Sequence, residues 1–206
     1  LTTVALRVPA HPCALALLHE FGGPVAAPSA NRSGHVSPVT AAHVAQDLGG
    51  RVDLILDAGR SDAGLESTIV SFVGEEPVIL RPGAIPREAL EAALGGRLAV
   101  AATGSEILAP GMILSHYAPN ARLRLDALSL EPGEAGLDFG GALRLAGADG
   151  VILDLSPSGD LIEAAANLYA SLRELDARSI PRAAVAPIPE GGLGEAIRDR
   201  LRRAAT

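Results

Sequence analysis

The chain changes its hydrophobic period several times, and each change marks an element. Residues 1–8 (LTTVALRV) are mostly apolar, with Arg7 near the end, and predict a strand. Pro12 suits the first turn of a helix to about Phe21, with Leu15, Leu18 and His19 at helical spacing and Gly22-Gly23 as the stop. A small strand is expected over 24–28, then a polar turn (Ser29-Ala30-Asn31-Arg32-Ser33-Gly34) and a helix from Ser37-Pro38 to Leu48. Residues 52–57 (VDLILD) are almost continuously apolar, as in a strand buried on both faces, and a glycine-bracketed loop follows over 58–64. Residues 67–73 and 77–81, separated by Gly74-Glu75-Glu76, predict a hairpin, and Pro86 opens a helix that ends at Gly95-Gly96.

Between 98 and 121 the periodicity fades, and Pro110, Gly111 and Pro119 predict an extended linker carrying Ser115-His116-Tyr117-Ala118-Pro119. Beyond it, strands are expected over 122–126, 142–146 and 151–155, with a glycine-rich loop over 131–141. Asp160 and Glu163 have the spacing of a capping box, and Leu161, Ala165, Leu168, Leu172 and Leu175 make one apolar helical stripe. Residues 180–188 predict a strand that prolines make irregular or push to an edge, and 192–205 a terminal helix whose four arginines face solvent. This alternation predicts the α/β class, with an open sheet first and a small Rossmann-like domain after the linker.

Hydrophobic residues make up 48% of the 206, enough for a sizeable core, yet there is no Trp and only 2 Tyr and 3 Phe, so Ala, Leu, Val and Ile must build it. The single cysteine, Cys13, cannot form an internal disulfide, which fits a reducing, cytoplasmic setting. No apolar run reaches the length of a membrane span. All 17 basic residues are arginine and the formal net charge is −7, which argues against non-specific nucleic-acid binding. Walker, GxGxxG, HExxH and CxxC patterns are absent.

The chemistry concentrates in PVAAPSANRSGHVSP (24–38), where short side chains that donate and accept gather at the end of an apolar segment beside Gly34. Four separated pieces, ALRVPAHP, APSANRSGHVSP, ESTIVSF with ILRPGAI, and PGMILSHYAP, together resemble the threonylcarbamoyl-AMP synthases, YrdC-like enzymes of tRNA modification, in their two-domain form. The ending, NLYASLRELD and GLGEAIRDRLRRAA, is similar to that family's C-terminal accessory domain.

The resemblance implies a reaction joining L-threonine, bicarbonate and ATP, with Mg²⁺ arriving on the nucleotide, to give L-threonylcarbamoyl-adenylate and pyrophosphate. A threonylcarbamoyl transferase machinery acting on tRNA is the implied partner, with no membrane and no stable direct nucleic-acid contact. The implied fold is a partial, twisted open YrdC-like sheet over 1–97, a linker over 98–121 lying across the mouth of a concave site, and the Rossmann-like accessory domain over 122–206. The implied L-threonine ligands are Arg7, Ala27, Asn31, Ser67 and Thr68; the implied ATP ligands are Thr3, Ser29, Ser37, Arg81, His116 and Tyr117. Ser37 fits two roles, since it can also cap its helix. No covalent nucleophile and no dedicated metal ligand is assigned.

One departure stands out. The family's upstream Lys-x-Arg element and an early threonine-contacting residue have no counterpart in a chain without lysine. The expectation is an N-terminally truncated chain, poorly active alone and prone to aggregate at an open sheet edge. Competing expectations are an RNA-binding module, a carbamoyl-transfer maturation domain and a non-catalytic ligand sensor.

Overall fold

The computed structural model describes residues 3–101, 117–145 and 150–205. It is a mixed α/β structure with two sheets. In the first, β1 (Ile69–Ser71) and β2 (Val78–Arg81) form the expected antiparallel hairpin, and β3 (Ala99–Val100) joins β2 in parallel. In the second, β4 (Arg122–Arg124), β5 (Ala135–Asp138), β6 (Ile152–Asp154) and β7 (Arg182–Val185) are all parallel, in the order β4-β7-β5-β6. The helices are α1 (Pro12–Phe21), α2 (Ala41–Leu48), α3 (Arg87–Leu94), α4 (Ala142–Leu145), α5 (Leu161–Ala177) and α6 (Leu193–Ala204). Among the described residues no helix is long and apolar enough to cross a membrane.

The core follows the α5 stripe. Ala165, Leu168, Leu172 and Leu175 are fully buried against Leu137, Leu155, the alanines of β7, and Ile197 and Leu201 of α6. Burying each such leucine stabilises the fold by roughly 1.5–3 kcal/mol. Asp160 caps α5 by accepting from the N–H groups of Ile162 (2.7 Å) and Glu163 (2.9 Å). The capping box is not reciprocal, however. Ser156 Oγ takes the Asp160 N–H at 2.9 Å and donates to the Glu163 carboxylate, so a hydroxyl from the preceding loop stands between the two.

Several expected strands are absent. Residues 3–8 and 24–28 carry no strand pairing, and Val4, Leu6 and Val8 are 79%, 86% and 91% exposed. Residues 52–57 are likewise not a strand, with Leu54 75% exposed. An apolar run records a capacity for burial, whereas a strand also needs a backbone ladder, and none is formed there among the described residues.

In the second unit the expected loop and strand exchange places. Residues 135–138 are β5, and 142–145 are the short α4. A Cβ on Gly136 would lie 2.6 Å from Ile152 Cδ1 and 3.1 Å from Leu143 Cδ1, so glycine here permits close packing of strand, neighbour and helix. Asp138, fully buried, then accepts from the N–H groups of Phe139, Leu143 and Arg144 and turns the chain into α4. β7 is central rather than an edge, because Pro181 and Pro187 flank the ladder without entering it. Pro181 still contributes its carbonyl, which accepts from Arg122 N–H at 2.9 Å. The linker expected over 98–121 begins instead with β3, and its stretch 102–116 lies outside the described residues.

Leu172→Ala is expected to cost about 2–5 kcal/mol of stability, read as a lower urea midpoint by circular dichroism. A loss below about 1 kcal/mol would show that this part of the core can collapse around the cavity.

Candidate functional site

The two units meet through buried polar groups. At the centre is Glu66, the residue before β1's leading Ser67-Thr68 pair. Its carboxylate accepts from Ser37 Oγ (2.7 Å), from Tyr169 OH (3.0 and 2.9 Å to its two oxygens) and from Arg200 Nε (2.8 Å). Arg200 is fully buried; it also donates to the Pro82 carbonyl (2.8 Å), pairs with Asp199, and lies 5.1 Å over the ring of Tyr117. The Tyr117 and Tyr169 rings are 5.6 Å apart. Burial pushes the Glu66 carboxyl up, but the Arg200 charge and the bonds from Arg200 and Ser37 outweigh it and hold it below the usual range. Burial, reinforced by the Glu66 charge, pushes the Tyr169 phenol well above its ordinary value, so it stays a neutral donor.

Around this centre lie further ties. Arg173 of α5 donates to the Asp47 carboxylate (2.6 Å), the Val36 carbonyl (2.7 Å) and the Ser37 carbonyl (3.1 Å). Burial raises Asp47, and the hydrogen bond and charge of Arg173, with the nearby Arg32, together more than reverse this, so it too sits below the carboxylate range. Arg60 reaches the Ala166 carbonyl at 2.8 Å and Asn167 Oδ1 at 2.9 Å, while Arg87 pairs with Glu195. Gly64, at φ +63°, passes so close to α5 that a Cβ would lie 2.1 Å from the Ala165 carbonyl oxygen.

The residues expected at a site divide into two groups. One gathers at this boundary. Asn31 is buried; its Nδ2 donates to the carbonyls of Arg32 and His35, both at 2.9 Å, and its Oδ1 has no hydrogen-bond partner among the described residues. Ser37 is buried on Glu66 and does not cap α2; Thr40 does so, accepting from His43 N–H. Arg81, buried, donates to the Ser67 carbonyl at 2.9 Å, and Thr68 Oγ1 donates to the Ile85 carbonyl and accepts from Ile85 N–H. Gly83 makes this turn possible, since a Cβ there would meet the Glu66 carbonyl oxygen at 2.3 Å. Tyr117 is buried at φ 64°, a conformation costing roughly 1–3 kcal/mol, and the next residue bridges to His35 and donates to the Gly34 carbonyl.

The second group is exposed: Thr3, Arg7, Ala27 and Ser29. Within it Arg7 Nη2 donates to the Ala27 carbonyl at 2.8 Å, so these two L-threonine candidates do meet. His116 lies outside the described residues.

Glu66, Tyr169, Arg173 and Arg200 escaped the sequence reading. Arg200 corrects it directly, because not all four arginines of the last helix face solvent. The signal was available: Ala196, Ile197, Arg200, Leu201 and Ala204 share the buried face of α6, so an arginine stands on an apolar stripe.

Fold and boundary together define a two-unit α/β protein whose units are joined through a network of polar side chains. A family described as "Threonylcarbamoyl-AMP synthase, C-terminal domain" matches residues 85–206, and one described as "Telomere recombination" matches 1–83. The threonylcarbamoyl-AMP synthase of Bacillus subtilis is 39% identical over the whole chain, and that of Pyrococcus abyssi 37%. In the crystal structure of P. abyssi Sua5 complexed with L-threonine, the fold matches with a TM-score of 0.87 at 34% identity, over 100% of this chain and 64% of that one. The chain belongs to the threonylcarbamoyl-AMP synthase family, and it spans 64% of the length of the B. subtilis and P. abyssi relatives.

Because Glu66 titrates lower folded than unfolded, its contribution is present above about 4.5, its ordinary value, and is lost as pH falls through the folded value. Glu66→Gln is therefore expected to lower stability at neutral pH and to flatten the acid limb of the stability profile. An unchanged acid limb in urea titrations would contradict the assignment.

Proposed function

We propose that the protein is an L-threonylcarbamoyladenylate synthase, a nucleotidyltransferase acting in the threonylcarbamoyl modification of the adenosine beside the anticodon in tRNA. The observation that carries this is the 0.87 match to a fold solved with L-threonine, in a chain whose buried Asn31 Oδ1 has no partner among the described residues. A buried acceptor without a donor is costly, and a ligand N–H would satisfy it. In this reading the threonine amine attacks bicarbonate to give a carbamate and water. A carbamate oxygen then attacks the α-phosphate of ATP and pyrophosphate leaves; Mg²⁺ arriving with the nucleotide would neutralise phosphate charge.

Arg7, Ala27, Asn31, Ser67 and Thr68 are assigned to L-threonine, with the guanidinium of Arg7 on the carboxylate. Thr3, Ser29, Ser37, Arg81, His116 and Tyr117 are assigned to ATP. No residue acts as a covalent nucleophile; orientation and charge neutralisation supply the rate. Residues 1–97 are read as part of a twisted open YrdC-like catalytic sheet, 98–121 as the linker over its mouth, and 122–206 as a Rossmann-like accessory domain. The product passes to a transferase machinery acting on tRNA in the cytoplasm, and the net charge of −7 disfavours a lasting direct hold on RNA.

The test is pyrophosphate release with ATP, bicarbonate and Mg²⁺, with and without L-threonine, on this chain and on the full reading frame that contains it. Threonine-dependent release is expected from the full-frame protein, in which Ser67→Ala and Asn31→Ala should each lower kcat/KM by about 10- to 100-fold, the range for a lost hydrogen bond to a charged group. No threonine-dependent release from folded full-frame protein would overturn the proposal.

A further inference from the structure

Arg200 sits on the terminal helix, yet apart from its chain neighbour Asp199 the groups it bonds or covers belong to, or adjoin, the candidate site. Its Nε holds Glu66 Oε2 at 2.8 Å, and Glu66 is bonded to Ser67 along the chain and to Ser37 through Oε1. Its Nη2 holds the carbonyl of Pro82, the residue after Arg81. Its planar face covers Tyr117 at 5.1 Å. Ser37, Ser67 and Arg81 are thus reached through a single intermediary, and Tyr117 directly.

We infer that Arg200 is a positioning residue for the reaction proposed above, on which this inference rests: through Glu66 and Pro82 it fixes Ser37, Ser67 and Arg81 in binding geometry. Packing alone does not call for an arginine here. A buried charge is expensive to desolvate, and an apolar side chain of similar volume would fill the same space at less cost. An apolar residue would not fix the direction of the Glu66 carboxylate. Both carboxylate oxygens are committed, Oε1 to Ser37 and Tyr169 and Oε2 to Tyr169 and Arg200, so loss of the guanidinium removes the charged partner and leaves the Ser37 acceptor oriented by the neutral Tyr169 phenol alone. The forked geometry matters as well, because Nε and Nη2 bond to different segments of the first unit. In this way the second unit acts on the site without touching substrate.

The chain provides its own reporter. It has 2 Tyr and no Trp, and both tyrosines, Tyr117 and Tyr169, lie in this network, so its intrinsic fluorescence reads the boundary alone. The experiment compares wild type, Arg200→Met, Arg200→Lys and Glu66→Gln, each first shown by circular dichroism to be folded, with kinetics taken on the full reading frame and tyrosine fluorescence on this chain. Two readouts are taken: kcat and KM for L-threonine and ATP, and the change in tyrosine fluorescence on titration with each ligand. Arg200→Met is expected to lose about 10- to 100-fold in kcat/KM per folded molecule, the scale of a misplacement near 1 Å. Its fluorescence response should move to correspondingly higher ligand concentration. Arg200→Lys, which keeps the charge but not the fork, should recover part of both, and Glu66→Gln, which keeps the packing, should reproduce the Arg200→Met pattern.

Folded Arg200→Met or Glu66→Gln with wild-type kinetics and response would overturn the inference while leaving the synthase reading intact, as would losses that merely track the folded fraction. Wild type that neither releases pyrophosphate with threonine nor responds to either ligand would overturn both.

Discussion

The structure depends on one largely buried charge pair, fully buried on its arginine side. Glu66 and Arg200 lie 134 positions apart, one beside the first sheet and the other on the last helix, at 2.8 Å. Such a pair contributes little beyond what an apolar contact would, since desolvation offsets most of the attraction. Its removal is another matter, because loss of one member strands the other and typically costs about 3–5 kcal/mol. That asymmetry makes the pair a better device for specifying an arrangement than for adding stability. Tyr169 and Ser37 complete the carboxylate's hydrogen bonds, as a buried network requires.

The remaining boundary contacts repeat this logic with other arginines. Arg173 binds a carboxylate and two backbone carbonyls of the first unit, and Arg60 returns the contact by capping a carbonyl and an amide on α5. These forks bind backbone as well as side chains, so they record the path of the opposing chain and not merely its charge. The segment carrying Asn31 and Ser37 is consequently clamped between α2 and α5, while Thr3, Arg7 and Ser29, outside the clamp, remain exposed.

Most helices were legible because period and stop signals agree: α1, α2, α3, α5 and α6 fall close to where glycine pairs and apolar spacing put them. The β1–β2 hairpin was legible for the same reason. β5 was not, because AGLD is small and glycine-bearing, and its strand character depends on Ile152 and Leu143 closing over Gly136. Residues 3–8 and 52–57 show the opposite failure, an apolar pattern with no ladder formed. At the site, family motifs singled out Asn31, Ser37, Ser67 and Arg81, whereas the groups that hold them in place come from helices read only for their apolar stripes. An arginine on a buried face was visible as an anomaly, but its partner 134 positions away was not.

The central claim is that the Glu66–Arg200 network makes the two units one cooperative body. It is tested most directly by urea unfolding followed simultaneously by far-ultraviolet circular dichroism and tyrosine fluorescence. Coincident transitions with one midpoint are predicted, since the boundary reporters should lose their environment only when the core does. A tyrosine transition at clearly lower urea than the loss of helix would show that the boundary opens on its own, and would contradict the account.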